Sequence, residues 1–181
     1  MSISPQAWSS CCFFSKAATW ASVRTIPSSA TLCSSPFKRC AKQAIIYHRN
    51  DYLLQLRDHT PGIVYAGVWS FFGGAIEAGE TPWQALQREL TEELEWQPDT
   101  GAYLYDWVNP EHPCRIHFFT VPFTGERAAL VLHEGLDLGW FNLDEVVHHS
   151  QMAPHVMQHI KCAHNHLSDS KQALTADVSL R

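Results

Sequence analysis

The chain has 181 residues, 45% of them hydrophobic, and a formal net charge of −5, enough for one domain with its own core. No apolar run is long enough to span a bilayer, so no membrane partner is expected. Residues 1–50 hold six of the 13 Lys and Arg and none of the 18 Asp and Glu, so the remainder carries seven bases against 18 acids, a balance of −11. An acidic domain repels nucleic-acid backbones unless metal ions intervene, which argues against a general nucleic-acid binder.

Residues 1–41 are rich in Ser, Ala and Cys and have no acids. That composition fits disorder, an organelle transit peptide, or a dispensable extension, and lacks the pattern of a secretory signal. We expect a disordered or targeting-like segment over 1–41, a folded domain over 42–168 and a flexible tail over 169–181. The six cysteines show no Cys-x-x-Cys pair and no framework spacing, so thiols in a reducing, cytoplasmic setting are expected, with organelle import through residues 1–40 left open.

Within the domain, Gln43–His48 and Tyr52–Arg57 read as strands joined by a turn at Arg49-Asn50-Asp51. Thr60-Pro61-Gly62 is a turn signal, and Ile63–Phe72 leads into Gly73 and Gly74. Next comes a helix that announces its own start: Thr81 caps it, Pro82 suits its first position and Gln84 completes a capping box. It should run to about Leu94, with Ala85, Leu86, Leu90 and Leu94 on its buried face. Further strands are expected at Tyr103–Val108, Arg115–Pro122, Ala128–His133 and Leu138–Phe141. Asn142-x-x-Glu145 starts a short helix, and Pro154 opens a last one with Val156, Ile160, Ala163 and Leu167 as its core stripe. Strands and helices that do not alternate regularly predict an α/β domain with a mixed sheet between helices.

Chemistry concentrates between Gly73 and Trp96. Glu77, Glu80, Glu89, Glu92, Glu93 and Glu95 all fall there. Glu89, Glu92 and Glu93 are spaced i, i+3 and i+4, so they crowd one helix flank and repel one another unless a cation sits among them. Oxygen-only donors suit Mg²⁺ or Mn²⁺. A solvated acidic helix face is the plain alternative.

The longer pattern decides between these. Gly74, five residues, Glu80, seven residues, then Arg88-Glu89-Leu90-x-Glu92-Glu93-x-x-Trp96 resembles the box of the Nudix hydrolases. Two positions depart from it: Glu95 stands where the family usually has Gly, and Phe72 where Pro often precedes the glycines. Glu tolerates a left-handed helix end less well than Gly, by about 1 kcal/mol. The resemblance covers about residues 42–168 and implies an α/β/α sandwich and a metal-dependent diphosphohydrolase.

Residue by residue, the resemblance implies Glu89, Glu92 and Glu93 as metal ligands, with Glu89 or Glu93 also a candidate base. It implies the carbonyl of Gly74 as a backbone ligand, and Arg88 with Glu80 as the pair bonding loop to helix. Glu134 stands where many members place a further ligand or base. Arg57, at a strand end, is a candidate phosphate contact. The resemblance leaves the substrate open. The expected partner is a small nucleoside diphosphate derivative of the ADP-ribose or nucleotide-sugar type. The alternatives are removal of pyrophosphate from oxidised nucleoside triphosphates and a sensor that binds nucleotide without cleaving it. A homodimer is left open. His155, His159, Cys162 and His166 share a stripe on the last helix, but no motif supplies a third zinc ligand, and a polar flank beside the core explains them better.

Overall fold

The computed structural model describes residues 40–110 and 114–178. The expected extension therefore lies outside the described residues, apart from its last two. Seven strands form one mixed sheet: β1 (Cys40–His48), β2 (Asp51–Leu56), β3 (Trp69–Ser70), β4 (Phe72–Ala75), β5 (Ala102–Val108), β6 (Arg115–Pro122) and β7 (Asp137–Asn142). Helices α1 (Pro82–Leu94), α2 (Leu143–His148) and α3 (Val156–Val178) cover its faces. No helix among the described residues is long and apolar enough to cross a membrane.

The β1–β2 hairpin turns at Arg49, which adopts a positive φ of 60°. The two strands pair only between Ile46–His48 and Asp51–Leu53. Beyond that they part. Ala41–Ala44 of β1 pairs with β4, and Gln55–Leu56 of β2 pairs with β3. On its other side β1 runs parallel to β6, while β2 runs antiparallel to β7. The sheet thus forks between β1 and β2, and β4 carries the glycine turn along one branch of the fork.

Alternation along the strands feeds two cores. One face gives Ile45, Tyr52, Leu54, Phe71 and Phe118, packed with Val146, Val156, Ile160 and Ala163 of α2 and α3. The other gives Ala44, Ile46, Leu53, Phe72, Phe119 and Val121, packed with Leu86, Leu90 and Leu94 of α1. Those three leucines are fully buried, each contributing about 2 kcal/mol of transfer free energy. Both capping boxes form: Thr81 with Gln84, and Asn142 with Glu145. The expected α/β/α sandwich is the observed one.

Ile63–Phe72 is mostly turns, with only Trp69–Ser70 and Phe72 in strands. Several local expectations differ from the structure. Ala128–His133 is no strand: a 3-10 turn at Arg127–Ala129 gives way to an irregular segment whose Val131 and His133 amides bond the carbonyls of Leu94 and Glu93. Helix α3 continues past Ser168 to Val178, where a loose tail was expected. His155 and His159 belong to the core rather than a polar flank, at 6% and 0% exposure. His159 stacks on Phe118 with ring centroids 4.0 Å apart and bonds the Tyr105 hydroxyl at 2.6 Å. Burial drives its pKa down to about 3, with His155 adding to the shift, so it is a neutral core imidazole. Cys40 is disulfide-bonded, against expectation; Cys114 and Cys162 are thiols.

Candidate active site

The fork of the sheet, the glycine turn and α1 enclose one cleft of about 380 Å³. Gly73, Gly74 and Ala75 supply one part of its lining, Gln55, Arg57, Asp58, Thr60 and Ile63 another, and Glu89, Glu93, Glu134 and Gly135 the rest. Gly73 is sterically required, and Gly74 lets the backbone lie against a carboxylate. Gly73 has φ 140°, and a Cβ there would lie 2.2 Å from the Lys42 carbonyl oxygen. A Cβ on Gly74 would stand 2.7 Å from Glu89 Oε1. The backbone passes that close to the carboxylate only because no side chain intervenes.

Of the three crowded glutamates, two enter the cleft. Glu93 is 5% exposed, and its Oε2 is buried without a hydrogen-bond partner. Burial pushes its carboxyl up to about 8, and the negative charges of Glu89 and Glu134 push the same way. Glu89 is half-buried and held by two cations: Lys42 Nζ donates to its Oε1 at 2.6 Å and an Arg88 guanidinium NH at 3.3 Å. Glu92 points away. Its side chain is 60% exposed, is not part of the cleft lining, and accepts from Arg88 at 3.2 Å.

Arg88 and Glu80 tie the loop to the helix through two parallel bonds, Nε to Oε1 at 2.8 Å and the second terminal NH to Oε2 at 3.1 Å. The guanidinium holds the Glu80 carboxyl down at about 2, and Arg88 itself is raised by the same bond. Glu80 Oε2 also accepts from the Glu77 amide at 3.1 Å, which shapes the loop that brings the chain from Gly74 to the helix cap. Arg57 lines the cleft with its Nε buried and without a partner.

Sequence reasoning overlooked Lys42. It lies on β1 opposite Gly74, fully buried, and its Nζ bonds both the Ala75 carbonyl at 2.8 Å and Glu89. Burial lowers its pKa while the Glu89 bond opposes the shift. The one available signal was a charge inside the apolar run from Ala41 to Tyr47. Gln55 was missed as well; it is buried and donates to the Phe71 carbonyl at 3.1 Å. The cation that the crowded carboxylates require is therefore supplied in part by the chain itself, through Lys42 and Arg88. Among the described residues, no three of His, Cys, Asp and Glu form a ready-made cation cage. The donor chemistry nevertheless fits a hard divalent ion: carboxylates and carbonyls only, with one buried carboxylate oxygen lacking any partner.

A mixed sheet between helices, with an acidic capped helix facing a diglycine turn, defines the class of fold and site. The NUDIX domain model matches residues 39–162, and the chain belongs to that family. It is 33% identical over 82 residues to a CTP pyrophosphohydrolase of Escherichia coli, covering 45% of this chain and 61% of that protein. It is 31% identical over 86 residues to the oxidized purine nucleoside triphosphate hydrolase of Danio rerio, covering 45% of this chain and 53% of that protein. The chain thus spans only about half to six-tenths of the length of these curated relatives. In fold it is similar to the NUDIX domain of Shewanella oneidensis NrtR complexed with ADP ribose, with TM-score 0.60 and 20% identity over 71% of this chain and 87% of that one.

Proposed function

We propose that the chain is a Nudix hydrolase that cleaves a phosphoanhydride bond in a nucleotide with a divalent cation, Mg²⁺ or Mn²⁺. The observation that carries this reading is Glu93, a buried carboxylate with an unpartnered oxygen, sharing one cleft with Glu89 and Glu134. Such a group is unfavourable for stability alone and suits cation binding.

Glu89 and Glu93 would hold the cation, with the Gly74 carbonyl beside them. Glu92, which pairs with Arg88 outside the cleft, has the weaker claim of the three. A bound divalent cation offsets phosphate charge and acidifies a bound water. Glu134 reaches the cleft from the segment before β7 rather than from α1, and is the carboxylate proposed to accept the proton of the attacking water. Arg57 binds a phosphate oxygen from the end of β2. Arg88 and Glu80 act by holding loop and helix together.

For the substrate, both of these relatives are named for activity on nucleoside triphosphates. They favour release of pyrophosphate from a nucleoside triphosphate over the ADP-ribose or nucleotide-sugar reading. Incubation with a nucleotide panel and Mg²⁺, followed by product identification, tests this. Monophosphate plus pyrophosphate supports it. Monophosphate plus a phosphorylated partner places the substrate among diphosphate conjugates instead. No product from any substrate contradicts the hydrolase reading and favours a sensor.

A further inference from the structure

Behind the Gly74–Ala75 and Glu89 part of the cleft lining lies a buried cation, Lys42, and its placement calls for a reason. Lys42 is fully buried, in a strand whose inward neighbours Ala44 and Ile46 are apolar. An apolar residue of similar length would fill that space without the desolvation penalty of an ammonium group. The charge is used instead to join two elements. Nζ sits 2.8 Å from the Ala75 carbonyl at the end of β4 and 2.6 Å from Glu89 Oε1 on α1. Glu89 Oε1 also accepts from Arg88, so both cations engage the same oxygen. The bare Gly74 backbone makes room for this arrangement.

We propose that Lys42 is a resident cation behind the cleft, a positioning residue that holds Glu89 against β4 and offsets the charge of that carboxylate when no metal is bound. The proposal rests on the reading of Glu89 and Glu93 as cation ligands. Lys42 fixes one oxygen of Glu89 in the metal-free protein, in the place of the charge a divalent ion would bring.

Thermal unfolding of wild type, Lys42→Met, Glu89→Gln and the double variant, in EDTA and in Mg²⁺, tests the assignment. In EDTA each single variant should melt lower than wild type, since each leaves a charge without its partner. The double variant should melt at least as high as Glu89→Gln alone. Mg²⁺ should raise the melting temperature of Lys42→Met more than that of wild type, because the metal then replaces the missing charge; a lysine that only packs would leave the Mg²⁺ shift unchanged. Additive losses in EDTA, or a Mg²⁺ shift in Lys42→Met no larger than in wild type, would overturn the proposal. Should Lys42→Met fail to fold, the double variant compared with Glu89→Gln decides, and a lower-melting double variant counts against it. A wild type unmoved by Mg²⁺ would instead count against the metal reading, while the cycle in EDTA would still decide whether Lys42 holds Glu89.

Discussion

The His133 amide donates to the backbone carbonyl of Glu93 at 2.9 Å. Together with the Val131 amide on the Leu94 carbonyl, this bond satisfies helix-end acceptors that would otherwise have no partner. It also ties the segment bearing Glu134 to the helix bearing Glu93. The two carboxylates meet because of a backbone contact across 40 residues of chain.

That contact sets apart the roles of the carboxylates. Glu134→Gln should lower kcat by about 10²-fold or more, as expected for loss of a general base, while Mg²⁺ affinity changes less than about threefold. Glu93→Gln should lower both, and Glu92→Gln should have the mildest effect of the helix glutamates. Steady-state kinetics across a Mg²⁺ titration separates these outcomes.

Glu93 also gives the metal-free protein a pH dependence. Its folded pKa of about 8 lies above the ordinary 4.5, so the folded state binds the proton more tightly. The stability linked to this group is complete below pH 4.5 and is lost as pH rises through about 8. Glu93→Gln in EDTA should therefore be more stable than wild type at pH 8, by an amount on the order of a few kcal/mol, and the two should converge near pH 4.5. Denaturant melts at the two pH values measure this.

His159 works in the opposite direction. Its folded pKa of about 3 lies below the ordinary 6.5, so the unfolded chain binds the proton more readily. Stability is complete above pH 6.5 and declines as pH falls toward 3. Replacing His159 by Phe should flatten this acid limb in a plot of melting temperature against pH, even though it removes the bond to the Tyr105 hydroxyl.

Glu95, where the family usually has Gly, ends α1 with φ 51° and ψ 27°. A left-handed conformation costs a non-glycine residue about 1 kcal/mol. Its bond to His133 is surface-exposed and contributes little in return. Glu95→Gly should raise the melting temperature by about 2–4 °C with turnover unchanged, as differential scanning calorimetry and an activity assay would show.

What could be read in the sequence was local. Thr81, Gln84 and Pro82 specify where α1 starts, the leucine spacing its inner face, and Asn142 with Glu145 the start of α2, because each signal acts within one helical turn. The fork of β1 and β2 and the site of Lys42 depend on partners far along the chain: Lys42 and Glu89 are 47 residues apart, and no periodicity encodes that pairing. Glu92 and Glu93 look alike in sequence, yet one is exposed and the other buried, since a single helical step of about 100° separates solvent from cleft. Segment 128–133 was misread because its apolar residues resemble a strand, whereas His133 and Val131 bond the end of a helix.

Glu93 and Glu89 are proposed to make this cleft a divalent-cation site. Mn²⁺ binding by wild type and Glu93→Gln, followed by electron paramagnetic resonance of the free ion, tests it most directly. Wild type should bind the ion, and Glu93→Gln should bind at least about tenfold more weakly, the equivalent of 1.4 kcal/mol. Equal affinity in the two proteins would rule out Glu93 as a ligand of the cation.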